Sequence, residues 1–268
     1  MRTISLGWGV QSFTLAVMAA LNDIPPVDVA IHADTTHERS ATYDFAAKWS
    51  PWLESRGVSV VTVGEPEQAA KVTTEASDIP AFTVMRELPG GGTEVNIPVR
   101  TASPSGGILR RQCTQRWKIA PMRKWLRANR NGKQVETLLG ISLDEFQRMR
   151  DSDVGYITHS YPLIDMRMTR LDCVNYLQRH GVEVPVKSSC VFCPFHNKAA
   201  WREMAKANGD DWRRAVAVDE ALRKARPPYD LFVHSSRIPL ADVDMRTPED
   251  FGQLPMFDES CDSGYCFV

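Results

Sequence analysis

Ile4-Ser5-Leu6-Gly7-Trp8-Gly9-Val10-Gln11-Ser12 decides the reading of this chain: a short apolar strand runs into a glycine turn and out into a helix. The glycines permit tight, positive-φ geometry and leave backbone N–H groups free to face an anion. The helix that follows adds the positive end of its dipole, and Ser12 can give its O–H to a phosphate oxygen. A GxG turn also serves simply to reverse a chain, so the segment needs support from elsewhere. It does not fit GxxxxGK[ST], which disfavours a Walker-type NTPase.

Outward from that turn the pattern repeats. Arg2–Leu6 reads as a strand and Gln11–Leu21 as a helix, followed by a strand at Val27–Ala33, a helix at Thr42–Ser55 and a strand at Val58–Val63. Another strand reads at Gln134–Gly140. Strands alternating with helices imply crossover connections and a mostly parallel, doubly wound α/β sheet. The Pro- and Gly-rich stretch Ile79–Gly107, with PGGG at Pro89–Gly92, reads as a mobile loop over about 77–107. It leads to a basic helix whose Ile119, Met122, Trp125 and Leu126 form one apolar face. Residues 1–165 are expected to form a nucleotide-binding domain. Residues 166–268 are expected to form a helical, cysteine-bearing extension, with helices at Thr169–His180, Lys198–Ala207 and Asp210–Ala225 and a tail without periodicity.

Composition narrows the class. The chain has 268 residues, 43% hydrophobic and 24% charged, with a formal net charge of −1. That is a globular balance rather than a disordered one. No apolar run approaches the roughly 18 residues of a membrane span, and MRTISLGWGV shows no secretory pattern, so a cytoplasmic location without membrane partners is expected. The near-neutral sum hides an uneven distribution. Val95 to Gln134 carries ten cations and no acid, whereas Pro239 to Val268 carries seven acids and one base. The basic block reads either as a surface for an anionic partner or as a solvated helix face.

A second turn, Ala33-Asp34-Thr35-Thr36, places a carboxylate at a strand's C-terminal edge. There Asp34 can accept from a ribose hydroxyl or an adenine amine, or cap the next helix. In order, GWGVQS, DTTHERSATYDF, CTQRWKIAPMRKWL, GISLDEFQRMR and YPLIDMRMTRLDCVNYL resemble the motifs of the phosphoadenosine phosphosulfate reductase family, within the adenine nucleotide α-hydrolase (PP-loop) superfamily. The resemblance covers about Ile4 to Phe195 and part of the tail. Trp8 and Gly9 stand where the family has paired glycines, and Thr36-His37-Glu38-Arg39 replaces its GxxFP. Ser142 replaces the Arg of its GxR, leaving Arg148 and Arg170 to compensate. Gln11 stands where the ATP pyrophosphatase branch has Asp, which leans toward the reductases. The resemblance implies that Gly7, Gly9, Gln11, Ser12 and Gly140 surround the phosphate or sulfate end of an adenine nucleotide. It implies Asp34 at the adenosine, and Arg111, Lys118, Arg148 and Arg170 as neutralising cations.

Six cysteines are too few for a disulfide scaffold of this size. Cys190-Val-Phe-Cys193, followed by Pro194, suits a metal centre or a redox dithiol. Cys113 and Cys173 are available as further ligands. Four thiolates suit a [4Fe–4S] cluster; zinc would accept the same set, or Cys190, Cys193 and His196 with one more, and four buried thiols are the plain alternative. The resemblance implies the cluster, although the family's adjacent Cys pair is here Gln112-Cys113. Cys261 and Cys266 lie in the last eight residues. In the family a near-terminal Cys is the nucleophile, with a thioredoxin-like reductant resolving the product.

The expected function is therefore thiol-dependent reduction of an activated sulfate by an adenine-nucleotide-binding iron–sulfur enzyme. Two rivals stand beside it. One is an ATP pyrophosphatase that adenylates and thiolates a nucleic-acid base. The other is a non-catalytic, metal-stapled nucleotide- or nucleic-acid-binding module.

Overall fold

In a computed structural model, residues 1–64, 84–246 and 250 are described. The elements run β1 (Arg2–Ser5), α1 (Val10–Ala20), β2 (Val29–Ala33), α2 (Ser40–Glu54), β3 (Val60–Val63), β4 (Met85–Glu87), β5 (Thr93–Val95) and β6 (Arg100–Thr101). A π-helical turn, Thr114–Ile119, leads into α3 (Ala120–Asn129). Then come β7 (Val135–Leu138), a 3₁₀ turn at Leu143–Arg148, β8 (Ile157–Ser160), α4 (Pro162–Asp165), α5 (Arg170–Arg179), α6 (Lys198–Ala207), α7 (Asp210–Leu222), β9 (Leu231–Phe232) and a 3₁₀ turn at Leu240–Asp242. Among the described residues no helix is long and apolar enough to cross a membrane.

The chain divides into two compact units, Met1–Gly64 with Arg116–Ser189, and Glu65–Gln115 with Cys190–Val268. The first holds a five-stranded parallel sheet in the order β3-β2-β1-β7-β8. Strand β2 is buried throughout and shows why the sheet is wound on both faces. Val29, Ile31 and Ala33 pack toward Met122, Trp125 and Leu126 of α3. Ala30, on the other pleat, joins the core of α1, α2 and α5, where Phe13, Phe45, Trp49, Cys173 and Leu177 meet. Helix α1 is buried nearly all round because the sheet, α2 and α5 all pack on it. Helix α5 starts at a capping box, Thr169 with Asp172.

The boundary read at residue 165 does not coincide with these units. Helix α5, assigned to the extension, packs on α1 in the first unit. From residue 84, the stretch read as a loop contains a hairpin: β4 and β5 pair antiparallel, and Gly90, Gly91 and Gly92 supply the positive φ values of the connection. The N-terminal part of that stretch, through residue 83, lies outside the described residues.

In the second unit β6 pairs with β9, and α6 packs on α7. Helix α6 begins where Asn197 accepts from Ala200 N at 2.8 Å. The carboxylate of Asp219 is buried in this unit. It accepts from Val233 N at 2.8 Å and Leu240 N at 2.9 Å and pairs with Arg223, tying β9 and the last 3₁₀ turn to α7.

Candidate functional site

The connections from β1 and β7 leave the sheet in opposite directions, so the strand order reverses between these neighbours. In open α/β sheets the crevice outside the carboxyl ends at that point receives ligands. The turn after β1 is closed by Ser12, whose Oγ accepts from Gly7 N at 3.1 Å and donates to Gly9 O at 3.3 Å. The hydroxyl expected to face a phosphate is thus engaged in shaping the turn. Trp8 takes φ +56°, the left-handed conformation a glycine adopts freely. For a tryptophan this costs about 1–2 kcal/mol, and the burial of its indole against Phe13, Phe45 and His32 offsets it. Helix α1 then begins at Gly9 with no side-chain cap, leaving its N-terminal amides available to an anion.

Gly140, just past β7, closes against that helix start. A Cβ there would lie 2.5 Å from Ser12 N, 2.7 Å from Ser12 Cα and 2.9 Å from the Gln11 carbonyl carbon. Only glycine permits the two turns to meet. Gln11 links the surroundings. Its Nε2 lies 3.4 Å from Ser142 Oγ and 3.3 Å from Glu145 Oε2, and its Oε1 accepts from Arg170 Nη1 at 3.1 Å. Arg148 Nη1 pairs with Glu145 Oε2 at 2.7 Å, and Asp144 accepts from Arg170 N at 3.0 Å. Burial pushes the Glu145 carboxyl above its ordinary range, opposed chiefly by Arg148. Ser142, read in the sequence as replacing an Arg, is fully buried. The two guanidiniums read as compensating for it come to Gln11 and Glu145 from the following turn and from α5.

A second polar group follows β2. Asp34 Oδ1 accepts from Tyr43 Oη at 2.8 Å and from Thr36 N at 2.7 Å, with Thr36 at φ +61°. That conformation is an outlier for a β-branched residue. Burial, then the Asp34 charge, pushes the Tyr43 hydroxyl upward in pKa. Lys118 pairs at 3.2 Å with Glu38, whose side chain is 1% exposed and also accepts from Ser188 Oγ at 3.3 Å. A cation expected to neutralise a ligand is thus joined to a buried carboxylate. His32 Nδ1 donates to Leu6 O at 3.1 Å, and burial holds its pKa below its ordinary value.

The cysteines separate. Cys173 is fully buried in the α1–α5 core of the first unit, and burial pushes its thiol up to about 12 against a hydrogen bond with Thr14. In this setting the Cys173 side chain packs as a small apolar group. Cys113, Cys190 and Cys193 belong to the second unit and are half-buried. Two successive turns shape the CxxC loop, Cys193 N to Cys190 O at 3.0 Å and His196 N to Cys193 O at 3.0 Å. Val191 and Phe192 anchor it in the core, and His196 Nε2 lies 2.9 Å from Cys190 O. Among the described residues no three His, Cys, Asp or Glu side chains gather as a group that could hold a metal ion. Arg111, also in the second unit, bonds Thr114 Oγ1 through Nε at 2.9 Å and Nη2 at 2.6 Å. Cys261 and Cys266 lie outside the described residues.

Sequence reasoning singled out Gly7, Gly9, Gln11, Ser12, Gly140, Arg148 and Arg170, and the switch point brings them together. It missed Glu145, Tyr43, Glu38 and Ser188 as partners. Glu145 and Tyr43 stood in the motifs GISLDEF and TYDF, and a charged or hydroxyl-bearing residue beside the named ones was the available signal. Nothing local marks Ser188 as a partner of Glu38.

No family model and no curated protein matches the chain. Among solved structures it is similar to a crystal structure of phosphoadenylyl-sulfate (PAPS) reductase from Candida auris in a phosphate complex, at 13% sequence identity and a TM-score of 0.42. The alignment covers 69% of this chain and 74% of that one, a likeness too distant to assign a function.

Proposed function

We propose that this chain is an adenine-nucleotide enzyme of the sulfonucleotide reductase kind, acting on an adenosine phosphosulfate-type substrate at the switch point between β1 and β7. The observation that carries the reading is the contact of Gly140 with the uncapped start of α1. It brings amide donors, Gln11 and two guanidiniums to one place at the carboxyl ends of two parallel strands, where an anionic group is stabilised. The order of the sequence motifs supplies the nucleotide class. In this reading Asp34, oriented by Tyr43, meets the adenosine part.

A thiolate from Cys261 or Cys266 attacks the substrate's sulfur. The new S–S bond forms as the S–O bond to phosphate breaks, and the nucleotide leaves with that electron pair. A dithiol of thioredoxin type then attacks the cysteine sulfur, supplies two electrons as it becomes a disulfide, and releases sulfite.

The test is sulfite release from adenosine phosphosulfate and its 3′-phosphorylated form, with a thioredoxin-type reductant and the full chain. Loss of sulfite on replacing Cys261 or Cys266 supports the reading. Pyrophosphate release from ATP in the presence of RNA or DNA, without sulfite, overturns it in favour of the adenylating rival. Nucleic-acid binding with steep salt dependence and no turnover favours the non-catalytic one.

A further inference from the structure

One carboxylate stands among the donors of the switch point. Glu145 Oε2 lies 2.7 Å from Arg148 Nη1 and 3.3 Å from Gln11 Nε2. Gln11 is in the first turn of α1. The side chain of Arg148 is 10% exposed, and its Nε is buried with no hydrogen-bond partner. A guanidinium presents a planar fork suited to two oxygens of one anion, and Glu145 takes one arm of it. Gln11 Oε1 meanwhile holds Arg170 at 3.1 Å.

We propose that Glu145 is a resident counter-anion in the seat of the ligand's phosphate or sulfate group, and that the ligand binds by taking its place on Arg148 and Gln11. This rests on reading the switch point as the seat of the nucleotide's anionic end. Without ligand, Glu145 keeps a largely buried guanidinium from standing uncompensated, which would be costly. A ligand must offer Arg148 more than a carboxylate does, so a nucleoside without an anionic end is not retained. Once displaced, Glu145 loses its ion pair while Asp144 stays close, and it takes up a proton. The groups facing it are Asp144, Arg148 and Ser142 on its own turn, Gln11 on α1 and Arg170 on α5, with no histidine among them. Burial already holds its carboxyl above the ordinary range, in the direction this exchange requires.

Sulfate is the probe, because it remains a dianion from pH 6 to 8.5. Calorimetric titration of the full chain should show sulfate binding tighten as pH falls, by at most about tenfold per pH unit for one proton taken up. Glu145→Gln should bind sulfate on the order of tenfold more tightly at pH 8 and lose most of the pH dependence. Glu145→Asp keeps the charge and should keep the pH dependence. Sulfate affinity that is flat with pH in the unaltered chain overturns the proposal, and that result needs no variant to fold. So does Glu145→Gln binding no more tightly at pH 8 with its circular dichroism unchanged. The pH-dependent result in a chain that releases no sulfite upholds the counter-anion and rejects the substrate reading alone.

Discussion

Gly140→Ala is the most direct trial of the site. The added Cβ would sit 2.5 Å from Ser12 N, 2.7 Å from Ser12 Cα and 2.9 Å from the Gln11 carbonyl carbon. All three are backbone atoms, so no flexible side-chain end can swing away. Either the turn after β7 moves or the start of α1 does. Overpacking of this kind costs about 1–3 kcal/mol. At about 2–4 °C per kcal/mol for a chain of this size, the melting temperature should fall by about 2–12 °C. The displaced atoms belong to the anion-facing turn, so nucleotide affinity should fall by more than stability alone accounts for, on the order of tenfold for about 1.4 kcal/mol of lost contact. Gly155→Ala is the matched control. Nothing lies within 4 Å of a Cβ at Gly155, and its melting temperature should stay close to that of the parent. Differential scanning calorimetry with nucleotide titration reads both. If Gly140→Ala melts with the parent and binds nucleotide equally well, the two turns do not meet as described and the site loses its foundation.

Removing either partner of the Glu38–Lys118 pair strands a charge beside a side chain that is 1% exposed, so Glu38→Gln or Lys118→Met should cost about 3–5 kcal/mol. The double variant should cost clearly less than the sum by urea unfolding, and strict additivity would refute the pairing. Cys173, with its thiol pushed up to about 12, should resist iodoacetamide at pH 8 until the chain unfolds. Cys173→Val should leave any iron or zinc content unchanged by metal analysis; loss of metal would restore it as a ligand. His32 is held below its ordinary 6.5 in the folded chain, so the unfolded chain binds its proton more readily. Its contribution to stability is therefore present above pH 6.5 and is lost as pH falls through that value toward the lower folded one. His32→Gln should flatten the stability profile in that window, and an unchanged slope would count against the assignment.

The sheet was legible because β2 and β3 are short, mostly apolar runs beside helices with 3.6-residue spacing, and β1 ends at a glycine turn. Helix α6 was read at Lys198–Ala207 and is found there. Strand β8, Ile-Thr-His-Ser, escaped because four residues of mixed polarity carry no period, and its place comes from pairing with β7. Helix α5 was read correctly as a helix, but its packing on α1 was not legible, since an amphipathic face does not name what covers it. At the site, the glycines and cations could be read because their residue types are chemically restrictive. Their carboxylate partners could not, because Glu38 and Lys118 meet only after folding brings together positions 80 residues apart. The same holds for Cys173, whose spacing said nothing of a core that excludes water.

The two interleaved units carry a consequence for synthesis. Strand β1 lies at the centre of its sheet, yet its partner β7 is encoded beyond residue 134, after the chain has left the first unit and returned. While the ribosome makes the intervening residues, β1 can pair only with β2, and its other edge presents unmatched N–H and C=O groups. That edge is a hazard of the nascent chain rather than of the finished protein, and it closes only when β7 emerges. Slow translation of the segment from Glu65 to Gln134 would lengthen the exposure, so aggregation of the newborn chain should respond to synonymous changes there that leave every amino acid as it is.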